Sequence, residues 1–331
     1  MASSYRNIHP VDEVLSNIVV EAVPSDDQLI ADKVCESIPI YQRSGTLLLE
    51  ETRNFMGAGA GLDLERAPGA SRVTIGGFDR SSLTFRAKSY SADEHIAMED
   101  IRDSQYPGAE EQRTARKVGR VMKLAREERF ANVLFDSTAF ATSTPAIKFN
   151  AAGAEPLTFL HELKDTLFKA AHGINPDSLI FGRDVFRQLA RNPEIRGYVG
   201  STSNGLASGN RILNDDMVIS VLRDVLGIPN IHVGQALKDN AVPGAASNEA
   251  YIWNGETIFM GILRGSDSIV QKSGTVRAMP VAALNFELGL KRVSGQYDSI
   301  DGLRRTVWAD EEHVVQAIDS TLGHVVTDCL T

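Results

Sequence analysis

The sequence is poor in cysteine, in basic charge and in long apolar runs. It has two cysteines, Cys35 and Cys329, with no Cys-x-x-Cys pair, which argues against a disulfide framework and a structural zinc site. Acidic residues outnumber basic ones by 43 to 34, so a surface that binds nucleic acid tightly is not expected. No apolar run approaches the ~18 residues needed to span a bilayer, and residues 1–21 lack the pattern of a signal peptide. We expect a soluble chain with reduced thiols and no membrane partner.

Signatures of catalysis are also missing. The seven histidines are scattered, and neither His-Glu-x-x-His nor Gly-x-Ser-x-Gly occurs in a fitting context. The glycine run Gly57–Gly61 lacks the strand and helix that flank a dinucleotide-binding loop. Asp215-Asp216 fits the first turn of a helix, where acids favour the helix dipole. We therefore expect no catalytic, cofactor-binding or metal-binding residues, and an α/β enzyme with an unrecognised site stays open as an alternative.

Residues 1–44 have the pattern of an arm rather than of a domain. The acidic amphipathic stretch Asp12–Glu21 is followed by the extended-looking Ile38-Pro39-Ile40. Neither carries enough apolar surface to form a core of its own. We expect this arm to lie on another part of the assembly.

Residues 45–92 indicate a long β-hairpin. Leu47–Leu49 forms one strand, and Leu83 and Phe85 alternate with polar residues on the returning strand. The glycine-rich loop between them is far longer than the ~2–5 residues of common hairpin loops, so we expect it to project and to be ordered by a neighbouring subunit. The residues assigned to this inter-subunit loop tip are Phe55, Met56, Gly57, Gly59 and Gly61.

The strongest helix prediction spans Ala109–Phe135. It follows Pro107-Gly108 and continues without proline, and it has acidic residues in its first turn. A buried stripe is predicted at Ala115, Val118, Met122 and Ala125. A second, basic stripe, which either faces DNA or is a solvated face paired with nearby glutamates, comprises Arg113, Arg116, Arg120 and Lys123.

In the remaining chain, helices and strands are predicted to alternate at first, and strands alone follow. Helices are predicted at Leu157–Ala171, Arg183–Asn192 (stopped by Pro193) and Asp215–Leu226 (capped by Asn214 and closed by Gly227), and strands at Ser178–Phe181 and Ile231–Val233. Asn254-Gly255 predicts a tight hairpin between Ala250–Trp253 and Thr257–Leu263. Three closing strands separated by polar turns are predicted at Leu303–Trp308, Val314–Ile318 and Val325–Cys329.

The order of these segments resembles the major capsid proteins of tailed bacteriophages, which have the Hong Kong 97-type fold. The resemblance covers nearly the whole chain and includes short local matches. They are Ala31-Asp32-Lys33-Val34 with Ile38-Pro39-Ile40 and Arg43-Ser44-Gly45-Thr46 before the loop, Arg66-Ala67-Pro68-Gly69 in the loop, Lys123–Asn132 in the long helix, Ser178–Ile195, Val225–Ala236, Arg305–Glu312 and Leu322–Leu330.

The resemblance implies an α+β chain in five segments. They are an N-terminal arm at 1–44, an extended loop at 45–92, a peripheral domain with a long spine helix at 93–153, an α/β axial domain at 154–277, and returning peripheral strands at 278–331. It implies a structural subunit, not an enzyme, that forms hexamers and pentamers of an icosahedral shell around double-stranded DNA, without a cofactor. The implied location is the virion, assembled in the host cytoplasm.

The same resemblance implies partners beyond the subunit itself. A portal and weak, non-specific contact with packaged DNA are expected, and a decoration protein is left open. No long charged helical segment precedes the arm, which favours a separate scaffolding protein. The tip at 54–61 contains no lysine, so lysine-dependent crosslinking there is not supported. An encapsulin-like compartment with a protein cargo is the nearest alternative.

Overall fold

The computed structural model describes the chain at residues 28–50, 65–66, 68–69, 71, 80–103, 108–202, 213–242, 244–264, 271–272, 275–278, 281–289 and 292–330. The arm residues predicted at 12–21 and the loop tip predicted at 54–61 lie outside these residues. What is described combines one long helix, several shorter helices and sheets of mixed strand direction.

The helices in this part of the chain are α1 (Ala31–Val34), α2 (Met98–Asp103), α3 (Ala109–Leu134), α4 (Pro156–Ala170), α5 (Arg183–Leu189), α6 (Pro193–Thr202) and α7 (Asp215–Leu226). The strands are β1 (Ser37–Ile40), β2 (Ser44–Glu50), β3 (Arg80–Arg86), β4 (Lys88–Ala97), β5 (Ala141–Ser143), β6 (Ser178–Gly182), β7 (Asn230–Gly234), β8 (Leu237–Asp239), β9 (Glu249–Tyr251), β10 (Ile258–Gly261), β11 (Gln271–Lys272), β12 (Thr275–Ala278), β13 (Ala283–Leu288), β14 (Val293–Asp298), β15 (Arg304–Ala317) and β16 (Gly323–Val326).

The first sheet, called the β15 sheet, is built on a single strand of 14 residues. Strand β4 pairs antiparallel with β15 along one edge, from Ala97 opposite Arg304 to Lys88 opposite His313. On the other edge, β14 and then β13 pair with successive halves of β15, and β1 joins β13 in parallel. Val307 and Ala309 alternate toward α3 and pack against its apolar stripe. The long helix therefore lies across one face of this sheet.

One prediction about this sheet is wrong. Leu303–Trp308 and Val314–Ile318 were predicted as two strands with a polar turn between them, but they form one continuous strand. The charged residues that suggest a turn, Glu311, Glu312 and His313, are buried inside the strand. They have charged or polar partners there, so the chain does not need to bring them to the surface.

The second sheet, called the β10 sheet, has the order β5-β16-β10-β6-β7. Strands β6 and β7 are parallel, whereas β10 runs antiparallel to both β6 and β16. Apolar residues of α4, α5 and α7 pack with this sheet in one cluster. The predicted α7 caps are confirmed: Asn214 Oδ1 accepts a hydrogen bond from Asp215 N at 2.8 Å, and Gly227 has a φ of +64°.

Two turn predictions near this sheet need correction. Pro193 does follow a helix, but it also begins the next one, α6, because proline suits the first helical position and Asn192 Oδ1 accepts from Glu194 N at 2.8 Å. Asn254-Gly255 forms a turn but not the predicted hairpin, since β9 pairs with β8 and β10 pairs with β6 and β16. The turn packs instead against Gly182, where a Cβ atom would meet the Asn254 carbonyl oxygen at 2.0 Å.

The long hairpin is confirmed in its described part. Strands β2 and β3 pair antiparallel from Ser44 opposite Arg86 to Glu50 opposite Arg80, and β12 extends the sheet alongside β2. Leu47 is fully buried and Phe85 stacks on Phe286, with ring centroids 4.4 Å apart. The base of the hairpin is thus fixed to the β15 sheet. The five-segment division of the chain stays a prediction. Strand β16 belongs to the segment predicted to be peripheral, but it pairs within the β10 sheet.

Candidate contact surfaces and buried charges around the long helix

Helix α3 forms where the sequence predicts it, with 26 residues from Ala109 to Leu134. Gly108 precedes it with a φ of +80°, a conformation that glycine adopts without strain. Ala115, Val118 and Met122 are buried as predicted, but Ala125 is only half-buried. The next position on the buried face is Arg126, which is 1% exposed. The helix therefore carries a charged residue into the interior.

The predicted basic stripe is divided by the structure. Arg113, Arg116 and Arg120 are exposed, and among the described residues none of them has an ion-pair partner. Lys123 is 8% exposed and has partners of its own, so in this structure it is separated from the three exposed arginines. What remains of the predicted site is a face of three arginines, which we call the arginine face.

The reason for the division is the packing around the second half of α3. Residues 116, 120, 123 and 127 lie three or four positions apart and so share a helix face. From Lys123 onward this face is buried, and at Glu127 it is covered by α1. Ile30 and Ala31 pack in the same apolar cluster as Phe130. The helix is thus a surface element at its start and an interior element at its end.

A buried charge cluster lies between α3 and the β15 sheet, and the sequence analysis does not anticipate it. Glu311 on β15 is fully buried, and the side chains of three arginines lie within 4 Å of its carboxylate. Arg292 Nε lies 3.1 Å from Oε2, Arg126 Nη1 lies 3.8 Å from Oε2, and Arg129 bonds Oε1. Arg126 also bonds Glu287, which supplies a second negative charge. Arginines on α3 are in this way neutralised by acids on two strands.

The electrostatics of Glu311 are dominated by these partners. Burial alone would raise its pKa, but the nearby His313 and the charges of Arg292 and Arg126 outweigh burial and lower the pKa below its usual range. For Arg126, burial acts to lower the pKa, and Asp32, Glu287 and Glu311 together raise it. Glu311 and Arg126 are therefore both ionised. Their cluster holds α3 to β13 and β15.

One sequence signal pointed to this cluster. Arg126 lies four residues after Met122 and four before Phe130, so it falls on the buried stripe of α3. A charged residue on such a stripe predicts a buried counter-charge, because an unpaired charge is costly to bury. The position of that counter-charge, 185 residues further along at Glu311, depends on the fold.

Glu127 occupies a second buried position, next to the cluster. Its Oε1 accepts a hydrogen bond from Ala31 N at 2.7 Å, and its Oε2 accepts one from Trp253 Nε1 at 2.7 Å. Burial raises the pKa of Glu127 to about 7, although both hydrogen bonds act to lower it. This residue links α3 to α1 and to the segment before β10.

The described residues offer no group suited to a metal ion. No cluster of three or more His, Cys, Asp or Glu side chains with metal-binding geometry occurs among them. Burial raises the pKa of Cys35 and of Cys329 to about 12, so both are protonated thiols at neutral pH. Burial and nearby positive charges lower the pKa of His232 to about 4. In the same part of the chain no helix is both long and apolar enough to cross a membrane.

Comparison of the sequence with protein families and with curated proteins gives no match. Comparison of the structure gives many. A phage-related protein from Bordetella bronchiseptica is 16% identical, with a TM-score of 0.67 over 97% of this chain and 98% of that chain. The mature capsid of bacteriophage PhiM1 is 10% identical, with a TM-score of 0.54 over 90% of this chain and 86% of that chain.

A third similar structure comes from an archaeal particle. The virus-like particle from Pyrococcus furiosus is 10% identical, with a TM-score of 0.52 over 98% of this chain and 100% of that chain. At such low identities these similarities concern the fold. They extend over almost the full length of each chain, so they apply to the whole arrangement of hairpin, long helix and sheets.

Proposed function

We propose that this chain, which has the Hong Kong 97-type capsid fold that its sequence predicts, is a major capsid protein. In this proposal its copies form hexamers and pentamers of an icosahedral shell that encloses double-stranded DNA, and its location is the virion. The observation that carries the proposal is the similarity of the fold to a phage capsid subunit over 90% of the chain.

The surface of the subunit supports a role in assembly. Tyr41 is 85% exposed just before the hairpin, and Leu48 within it is exposed as well. Ile300, at the turn between β14 and β15, is completely exposed. Large apolar side chains that are exposed to water favour contact with other copies, where they are removed from water. A stable contact of this kind buries ~800 Å² or more on each partner.

The arginine face supports weak contact with DNA. The chain has a net charge of -9, so the molecule as a whole repels phosphate. Arg113, Arg116 and Arg120 lie exposed on a helix face, and within the described part of the chain no acidic side chain pairs with them. Such contacts are independent of sequence and screened by salt, which suits a shell that must confine DNA and later release it. A separate scaffolding protein and a portal belong to the same proposal.

Electron microscopy of the purified protein tests this function. The chain is expressed alone and together with the proteins encoded beside it, and both preparations are examined by sedimentation and by negative stain. We expect rings or closed shells, and nuclease-protected DNA within shells made in the presence of packaging proteins. A protein that stays monomeric in every preparation would contradict the proposal, and shells that contain only a protein cargo would favour a compartment instead.

A further inference from the structure

The arginine face is continuous with the part of α3 that α1 covers. Arg116, Arg120 and Glu127 are separated by one turn and by two turns of the helix, so they lie on the same face. Ala31, the first residue of α1, donates its backbone N–H to Glu127 Oε1 at 2.7 Å, which places the N-terminal end of α1 on that face. Arg120 lies ~10 Å from Glu127 along the helix axis. The chain that leads into α1 therefore reaches α3 at one end of the arginine face.

The arginine face combines positive charge with apolar surface. Val121, next to Arg120, is 52% exposed, and Leu124, one turn further along, is half-buried. The aliphatic stems of the three arginines add apolar area beside them. Within the described residues no acidic side chain pairs with these arginines. A surface of this composition fits a partner that is both acidic and amphipathic.

The chain carries such a partner shortly before α1. Residues 12–21, which we call the acidic segment, have an apolar stripe at Val14, Leu15, Ile18 and Val19 when they are arranged as a helix. Five acidic residues and no basic residue occur between positions 12 and 27. The acidic segment lies outside the described residues, and its sequence is complementary in charge to the arginine face.

The dimensions of the two elements also agree. In a helix, Glu13 and Glu21 lie ~12 Å apart along the axis, and Arg113 and Arg120 lie ~10 Å apart. The six residues between Glu21 and residue 28 span up to ~20 Å when extended, which exceeds the ~10 Å between Arg120 and Glu127. A tether this short keeps the acidic segment at a high local concentration beside its own α3.

We propose that the acidic segment docks along the arginine face of its own chain, parallel to α3. In this arrangement Asp12 and Glu13 lie near Arg113. Glu21 lies near Arg120, at the end closer to α1. The apolar stripe of the segment covers Val121 and the stems of the arginines. This contact belongs to the single subunit and does not depend on the proposed assembly.

Disulfide trapping in the unassembled full-length chain tests the contact directly. Cysteines are introduced as the pair Ile18→Cys with Val121→Cys, and oxidation is followed at pH 8 and low protein concentration. The natural Cys35 and Cys329 are buried and have pKa values of about 12, so they stay protonated and do not take part. We expect a disulfide within one chain, because docking holds the two positions together.

The matched control is the pair Ile18→Cys with Ser91→Cys. Ser91 is exposed, and its neighbour Ala92 packs in the same cluster as Ala115 of α3. Because side chains alternate along a strand, Ser91 lies on the sheet face turned away from α3. We expect the disulfide with position 121 to form at least about tenfold faster than the disulfide with position 91.

A charge exchange shows whether the arginines hold the segment. Adding Arg116→Glu and Arg120→Glu to the first pair should slow its disulfide about tenfold, since two attractive contacts become repulsive. Adding Asp12→Lys and Glu13→Lys to that variant should restore much of the rate. The positions changed on α3 are exposed, and circular dichroism checks that each variant is folded.

Three results would overturn the proposal. The first is an equal rate of disulfide formation at positions 121 and 91. The second is a disulfide that joins two chains and not one, which would assign the face to the segment of another copy. The third is a rate that the charge reversals leave unchanged, which would show that the arginines do not hold the segment.

Discussion

Replacement of Glu311 by glutamine should destabilise the subunit strongly. The carboxylate is fully buried, bonds Arg129 and Arg292 (Nε at 3.1 Å), and lies 3.8 Å from Nη1 of Arg126. Removal of one partner from a buried ion pair costs ~3–5 kcal/mol, because the remaining charge stays buried without compensation. Glu287 still neutralises Arg126 in the variant, but Arg129 and Arg292 lose their common counter-charge. We expect the free energy of unfolding to fall by about 3–5 kcal/mol.

Urea denaturation of the unassembled full-length chain at pH 7 measures this loss, with tryptophan fluorescence and circular dichroism as independent probes. Glu128→Gln makes the same chemical change on α3, but its ion pair with Lys238 is partly exposed. An exposed pair contributes little, so this control should lose less than about 1 kcal/mol. A similar loss in the two variants would show that the buried cluster has no special role in stability.

The pH dependence provides a sharper test of the same reasoning. Because the arginines and His313 hold the pKa of Glu311 below its ordinary value of 4.5, its contribution is present above pH 4.5 and is lost as the pH falls through the lowered pKa. The stability difference between the original chain and Glu311→Gln should therefore shrink in acid. A difference that stays constant from pH 7 to pH 3 would mean that the glutamine acts through packing and not through charge.

Three further changes test other parts of the structure. Deletion of Phe55–Gly69 should leave the circular dichroism of the subunit nearly unchanged while closed shells disappear from micrographs, and normal shells would make the loop dispensable. The double charge reversal Arg116→Glu with Arg120→Glu should preserve shells and reduce the amount of packaged DNA. Normal packaging would show that the arginine face is only a solvated surface. Loss of assembly would show that it is a subunit interface. Gly182→Ala should cost about 1–3 kcal/mol in a denaturation experiment, because the added Cβ lies 2.0 Å from a backbone oxygen. Gly197→Ala is its control, since the added Cβ meets nothing within 4 Å and alanine favours the helix by about 0.5–1 kcal/mol.

The features that sequence reasoning predicted correctly are the local ones. Helix α3 and the caps of α7 at Asn214 and Gly227 depend on residues that are neighbours in sequence, and each strand at the base of the long hairpin has its own local apolar alternation. Their propensities, caps and apolar spacing can be read without knowledge of the fold. The order of these elements was sufficient to predict the fold as a whole.

The features that sequence reasoning did not capture depend on contacts between distant segments. Asn254-Gly255 makes the turn that its residues favour, but the partners of the flanking strands are chosen by the two sheets. Lys123 belongs to a basic stripe by spacing, and packing around the second half of α3 buries it. Glu311 resembles a turn residue in sequence, and three arginines from other segments make its burial possible. No window of neighbouring residues contains this information.

The position of β16 has a consequence for the timing of synthesis. Residues 323–326 form the strand between β5 and β10, so the β10 sheet has a gap at that place until they are added. A ribosome must therefore release nearly all of the described chain before this sheet can close, even though α4 to α7 have emerged much earlier.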